Sequence, residues 1–349
     1  MTWSAFAELC QNLSDFDKEI AYKQKIWEFY RNAPNFHLFG VASSYISDLR
    51  RMYQNDRVFE YNSLIISLYG YVELFVESLL KEYLAESKKQ IDNYEALSSK
   101  TKEHYRKEML AMFNRHKTPK LAHLTDAVLA ANMYETFHMS EPNLLPEMFF
   151  QSGGNYNFEE ITNSFCSLGL NYIKSELSLY PPLHSYYINQ GYTGATLPQE
   201  KNSKLYEQLD DLVCRRNEIA HGANTGNMLD VKQIKKYKVF VYLFCSTLCC
   251  YLSDKLNEQV WNTSTYSAKV KQTFNHSIAR ISGEYIAFKG SPVLVKSEST
   301  RPQYWENRIE EIFVNDAPVN DYLSESGSTD KVTVKMKVAV KKKSELRFL

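Results

Sequence analysis

The chain is short of the features that usually settle a protein's class. Its six cysteines form no C-x-x-C pair, which argues against the common zinc and dithiol patterns and leaves buried, reduced thiols as the simplest reading. It has no charge excess either. Lys+Arg and Asp+Glu stand at 41 each, so a histone-like, purely electrostatic role is excluded and any nucleic-acid surface has to be local. Residues Met1 to Glu8 show no basic region ahead of an apolar core, so no secretory signal is expected. The longest apolar run, 239 to 252, is broken by Ser246 and Thr247 and is too short to cross a bilayer. These gaps predict a soluble cytoplasmic protein with no membrane partner, metal or cofactor.

What is present supports ordinary cores. A chain of 349 residues, 44% of them apolar, suffices for one large domain or two unequal ones. The 25 Tyr and 19 Phe fit large core and interface side chains better than base stacking. Apolar spacing predicts one or two helices from 2 to 33, with Ser14 and Asp15 as a break and Pro34 as the end. A second helical region starts near Ser43, and after a polar interruption the strongest stripe runs from 59 to 89 through Leu64, Leu68, Val72, Phe75 and Leu79. Glu73 and Glu77 lie one turn apart amid that stripe, either on a solvated face or as acids turned toward a cleft.

Helices continue from 98 to 139, with Thr118 and Pro119 as a start signal, while His104, His116 and His123 are too scattered for a metal site. From about 140 to 200, proline and glycine punctuate an irregular insertion. A helix from about 203 to 220 should be capped by Ser203 and closed by Gly222, and Asp230 should cap a long apolar helix from 231 to 259.

After about residue 263 the pattern changes to strands, at 284–288, 292–295, 309–314 and 331–341. The expected architecture is a helical domain over 1–262 and a smaller β-rich domain over 263–349, mostly α and α+β overall. In the last strand Val332, Val334, Met336, Val338 and Val340 alternate with residues that include Lys331, Lys335, Lys337 and Lys341. An edge strand kept soluble by lysines and an RNA or partner surface using Lys335, Lys337 and Lys341 both fit this pattern.

The densest chemistry lies at the end of the 203–220 helix, where Arg215, Arg216, Asn217 and His221 gather. An arginine, an amide and an imidazole are the parts needed to hold and cleave a phosphodiester. Five helical residues turn through roughly 500°, so Arg216 and His221 stand about 140° apart, whereas Asn217 and His221 share a face. His221 also falls in the last turn, where the negative helix end favours a protonated imidazole. A plainer reading has Asn217 and His221 capping the helix while Arg215 and Arg216 pair with acids.

The string Arg216-Asn217-Glu218-Ile219-Ala220-His221-Gly222 resembles the R-x4-H signature of HEPN domains. Its ending resembles the branch found in toxin and anti-phage defence settings, which includes the RiboL-PSP-associated group, and 63–77 looks like that branch's long first helix. The likeness spans roughly 40 to 260. It implies a helical bundle that dimerises and sets two motifs face to face, and a metal-independent endoribonuclease with His221 as acid/base, Arg216 stabilising phosphoryl charge and Asn217 orienting one or the other. The products would carry 2′,3′-cyclic phosphate and 5′-hydroxyl ends. RNA, a homodimer partner and an inhibitor or sensor protein are the expected partners; Arg215 is a further RNA-contact candidate. The alternative is a non-catalytic HEPN-like module that binds RNA, nucleotide or protein. One departure is Ala223, where some HEPN toxins carry a tyrosine that a partner enzyme modifies.

Overall fold

The broad apolar stripe lies on the longest helix of the protein. The computed structural model describes residues 2–32, 42–91, 93–115, 118–138, 142–150, 155–222, 228–264, 266–275, 277–324 and 330–349, with side chains at all of these except 27, 30–32 and 42–56. Pro34, His116, Gly153, Gly154, Ala223 and the 224–227 loop therefore lie outside the described residues. Helices α1 (Ser4–Asn32), α2 (Ala42–Lys88), α3 (Ser99–Asn114) and α4 (Asp126–His138) come first. The short α5 (Phe158–Ser167), α6 (Ile173–Glu176), α7 (Leu183–Asn189) and α8 (Asn202–Leu205) lead to α9 (Glu207–Ala220) and α10 (Val231–Thr263).

Several expectations need correction. Ser14 and Asp15 do not break α1: both are exposed, and Asp15 accepts hydrogen bonds from Lys18 at 2.6 Å and Gln11 at 2.9 Å on the helix surface, so they need no cap. Likewise α2 runs through without the polar interruption. The irregular 140–200 stretch is built into the main core, which Phe158, Ile161, Phe165, Leu177, Leu183 and Tyr187 all join. The 203–220 helix is split, since Tyr206 leaves helical geometry at φ −110° and stacks on Phe158 with ring centroids 3.7 Å apart, so Ser203 caps nothing. Thr118 and Pro119 start only a single 3-10 turn.

Helices α1, α2, α9 and α10 pack on one another as a bundle. Glu82 of α2 accepts from the backbone N–H groups of Ser4 at 2.9 Å and Ala5 at 2.8 Å, so a carboxylate from a neighbour meets the positive end of α1. Asp230 caps α10 in a capping box with Gln233, as its position predicts. Two stretches, Arg57–Lys88 and Val231–Thr263, are long and apolar enough to cross a membrane, yet more than half of the most apolar window in each is buried among the other elements. They are core helices.

The strands β1 (Ser267–Phe274), β2 (Ile278–Phe288), β3 (Pro292–Lys296), β4 (Tyr304–Val314), β5 (Ala317–Val319), β6 (Asp321–Ser324), β7 (Val332–Met336) and β8 (Glu345–Phe348) pair antiparallel. The order β1-β8-β3-β4-β7-β2 closes through a β1–β2 pairing into a barrel filled by Val270, Ile281, Val295, Ile312, Val334 and Leu346. The chain is thus α+β, a helical bundle followed by a β-barrel.

The lysine-rich strand departs from expectation. It stops at Met336, Val338 is 48% exposed, and β7 lies between β4 and β2 rather than at an edge. Solubilising an open edge therefore does not explain its lysines.

Barrel and bundle meet at the end of α10. Trp261 packs with Leu294 and Tyr304, and the buried Asp254 accepts from the Tyr304 backbone N–H at 2.6 Å and from the Tyr180 hydroxyl. Burial pushes the Asp254 carboxyl above its ordinary range, and the two hydrogen bonds work against that. An Asp254→Ala variant should lose about 3–5 kcal/mol, because both donors are left buried and unmet. Urea unfolding followed by Trp fluorescence measures it, and a change near zero would refute the role.

Candidate active site at the end of α9

Leu209, Leu212 and Val213 form the buried face of α9, and that face decides where its polar residues point. Two adjacent arginines diverge as a result. Arg215 Nε donates to Asp211 at 2.5 Å and Nη1 to the Tyr61 hydroxyl of α2 at 3.2 Å, while the Tyr237 hydroxyl of α10 donates to the same Asp211 oxygen at 2.6 Å. Burial opposes the charge on Arg215, but its bonds to Asp211 and Tyr61 outweigh it and hold the guanidinium's pKa up. The Tyr237 hydroxyl is pushed to about 12, by burial first and by Asp211 second. Arg215 thus braces three helices, which leaves its guanidinium committed rather than offered to RNA.

Arg216 makes no such tie. Its guanidinium lies over the Tyr69 ring of α2 at 4.9 Å from the centroid, and Nη1 donates to Asn217 Oδ1 at 2.9 Å. A guanidinium can only donate, so the Asn217 amide turns its oxygen to Arg216 and its NH2 elsewhere. That hydrogen bond turns the arginine toward Asn217, which shares a helix face with His221. The Asn217 carbonyl accepts the His221 backbone N–H at 3.0 Å, and Gly222 follows at φ +69°, the left-handed cap its position predicts. His221 is exposed, with no hydrogen-bond partner for its ring among the described residues. Spare guanidinium N–H groups, an amide NH2 and an open imidazole are what a phosphate and a nearby hydroxyl require.

A family model described as RiboL-PSP-HEPN matches residues 42–258, a span that includes all of α9. The chain belongs to the RiboL-PSP-HEPN family. No curated protein matches it. Among solved structures, one similar chain is the C-terminal domain of a putative U32 peptidase from Geobacillus thermoleovorans, at 14% identity over 25% of this chain and 92% of that one. Its TM-score of 0.21 is too low to carry an argument. The HEPN match stops short of the barrel and leaves out α1.

The other candidate residues fall into separate places around this HEPN bundle. Glu77 is buried, accepting from Lys120 at 2.6 Å and the Tyr156 hydroxyl at 3.0 Å, and Lys120 also reaches Glu73 at 3.5 Å. Neither acid is simply solvated. Tyr156 links them to the motif, because its backbone N–H donates at 3.0 Å to the hydroxyl of Tyr69, the ring beneath Arg216. Burial raises the Tyr69 hydroxyl pKa, the Tyr156 bond opposes that, and the nearby Glu73 and Arg216 charges act in opposite senses. Tyr69, Tyr156 and Lys120 escape a reading of the sequence, since nothing local marks residues so distant in the chain as neighbours of the motif. On the barrel, Lys335 pairs with Glu311 at 2.9 Å and Glu310 at 3.7 Å, while Lys337 and Lys341 are exposed beyond the strand's end. None of the three joins the motif.

The divergence of the arginines is testable by stability alone. Arg215→Ala should cost about 1–3 kcal/mol by stranding Asp211 and Tyr61, whereas His221→Ala should leave the melting temperature unchanged. A large thermal loss in His221→Ala would return the motif to a capping role.

Proposed function

We propose that the protein is a metal-independent endoribonuclease of HEPN type, acting in the cytoplasm as a toxin or anti-phage defence effector. The observation that carries this reading is the open His221 imidazole one turn from Asn217, whose amide is held by Arg216. His221 accepts the proton of a ribose 2′-hydroxyl as that oxygen attacks the adjacent phosphorus, and a protonated imidazole delivers a proton to the departing 5′-oxygen. Arg216 and the Asn217 NH2 neutralise and orient the phosphoryl oxygens as charge grows on them. The products are a 2′,3′-cyclic phosphate and a 5′-hydroxyl.

Two copies of α9 meeting about a two-fold axis complete the site, so that one protomer's imidazole is acid to the other's base. Support comes from the exposure of the motif and from Ile66, 47% exposed on α2 three positions before Tyr69 and so on the same side of that helix. The barrel lies outside the family match, and contact with an inhibitor or sensor protein is the role this proposal gives it.

Induced expression tests the reading. Wild type should arrest growth and fragment total RNA, His221→Ala should do neither, and Arg216→Ala should cut about 10²–10³ times more slowly. Intact RNA with wild type, or undiminished cutting by His221→Ala, overturns it; binding without any cleavage would leave a recognition module instead.

A further inference from the structure

Far from the motif, the C-terminal end of α2 borders a cavity of about 230 Å3. Ser87 lines it, and Tyr69 lies 18 residues earlier on the same helix, which at 1.5 Å per residue separates the two by about 27 Å. The walls are apolar: Leu84 from α2, Ile91 and Leu97 from the connection to α3, and Leu144 and Leu168 from the segments opposite. An engineered cavity of about 150 Å3 admits benzene, so this one has room for a fused bicyclic ring.

Of its polar groups, Thr101 is hydrogen-bonded to Ser98 and Asn143 to Glu135, but two buried oxygens are poorly met. Ser87 is 6% exposed, and its Oγ meets no hydrogen-bond partner other than the neighbouring Tyr83 hydroxyl. Gln259 of α10 turns a second buried oxygen, Oε1, to no partner, and both residues line the cavity. Buried polar atoms of this kind weaken a fold unless something else meets them. Water could satisfy the oxygens but would leave the apolar walls wet. A ligand with an apolar body and an N–H donor meets both needs, because Gln259 Oε1 can only accept.

The charge at the cavity adds a further requirement. Lys88, in the last turn of α2, lines the space and has no ion-pair partner among the described residues. The neighbouring cations are committed: Lys89 pairs with Glu86 at 2.7 Å and Lys81 sits 5.5 Å over the Phe150 ring. Thr101, in the first turn of α3, brings the positive end of a 16-residue helix to the same space. An acidic arm on the ligand would be met by Lys88.

We propose that this cavity is a binding site for a small heteroaromatic carboxylic acid, with its ring between Leu84, Leu97, Leu144 and Leu168, its ring N–H donated to Gln259 Oε1, its π-edge against the Ser87 hydroxyl and its carboxylate on Lys88. The site is independent of the ribonuclease reading.

Isothermal titration of the full chain with indole-3-acetate, 1-naphthaleneacetate and indole tests the assignment. Indole-3-acetate should bind saturably at one site per chain and more tightly than either analogue, the first lacking the N–H and the second the acid. Lys88→Ala should weaken indole-3-acetate about tenfold and erase its advantage over indole. Ser87→Leu, which fills the cavity and removes an orphan hydroxyl, should abolish binding of all three; should it fail to fold, Lys88→Ala carries the test. No saturable binding of indole-3-acetate at millimolar concentration, or equal affinity in Lys88→Ala, overturns the proposal. A Ser87→Ala variant that melts higher while no probe binds wild type would mark the cavity as a packing flaw.

Discussion

An apolar stripe as broad as that on α2 has to be covered from several sides at once. From Tyr61 to Leu84 its buried residues include Leu64, Ile65, Leu68, Val72, Phe75, Val76, Leu79 and Leu80, which fall on more than one helical face. Each large side chain removed from water contributes about 1.5–3 kcal/mol, so no single neighbour could leave the rest uncovered. Helices α1, α9 and α10 pack against it, and α5 brings Phe165 edge-on to Tyr83. Docking α9 by Leu209, Leu212 and Val213 then fixes the position of its end.

The placement of the motif follows from that docking. Consecutive residues on a helix differ by about 100°, and this one step separates an arginine that holds α9 to its neighbours from one that lies toward solvent. Arg215 turns inward to Asp211 and Tyr61; Arg216 folds over Tyr69 and reaches Asn217. The plain reading, in which both arginines merely pair with acids, describes Arg215 alone. The buried Tyr156 and Glu77 behind Tyr69, with the exposed Lys120 closing the chain from outside, make the surface under Arg216 a fixed one.

Features written in local periodicity or single-residue chemistry are legible in the amino-acid sequence alone. The α2 stripe, the capping box of Asp230, the left-handed Gly222 and the family itself can be read from short strings. Features that depend on residues distant in the chain cannot. Tyr206 leaves the helix where it stacks on Phe158, Asp254 ties barrel to bundle through Tyr304, and β7 lies between β2 and β4 in the barrel wall. Each pairing joins segments well separated in the chain. The lysine alternation at 331–341 misleads for the same reason: period-two patterning fixes which way side chains face but not which strands lie alongside.

The wide angular separation of Arg216 and His221 suggests that two copies are needed, while the fold of Arg216 toward Asn217 reduces how much the second must supply. The remaining asymmetry lies in the proton transfers, since one imidazole cannot be base to the attacking oxygen and acid to the leaving one at the same instant. The most direct measurement is of the ends left on a purified RNA oligonucleotide cut in the presence of a metal chelator, beside the same oligonucleotide with 2′-deoxyribose at the cleaved position. The account predicts 2′,3′-cyclic phosphate and 5′-hydroxyl ends with chelator present and no cutting at the deoxy position; 5′-phosphate ends, dependence on a divalent metal or cutting beside deoxyribose would contradict it.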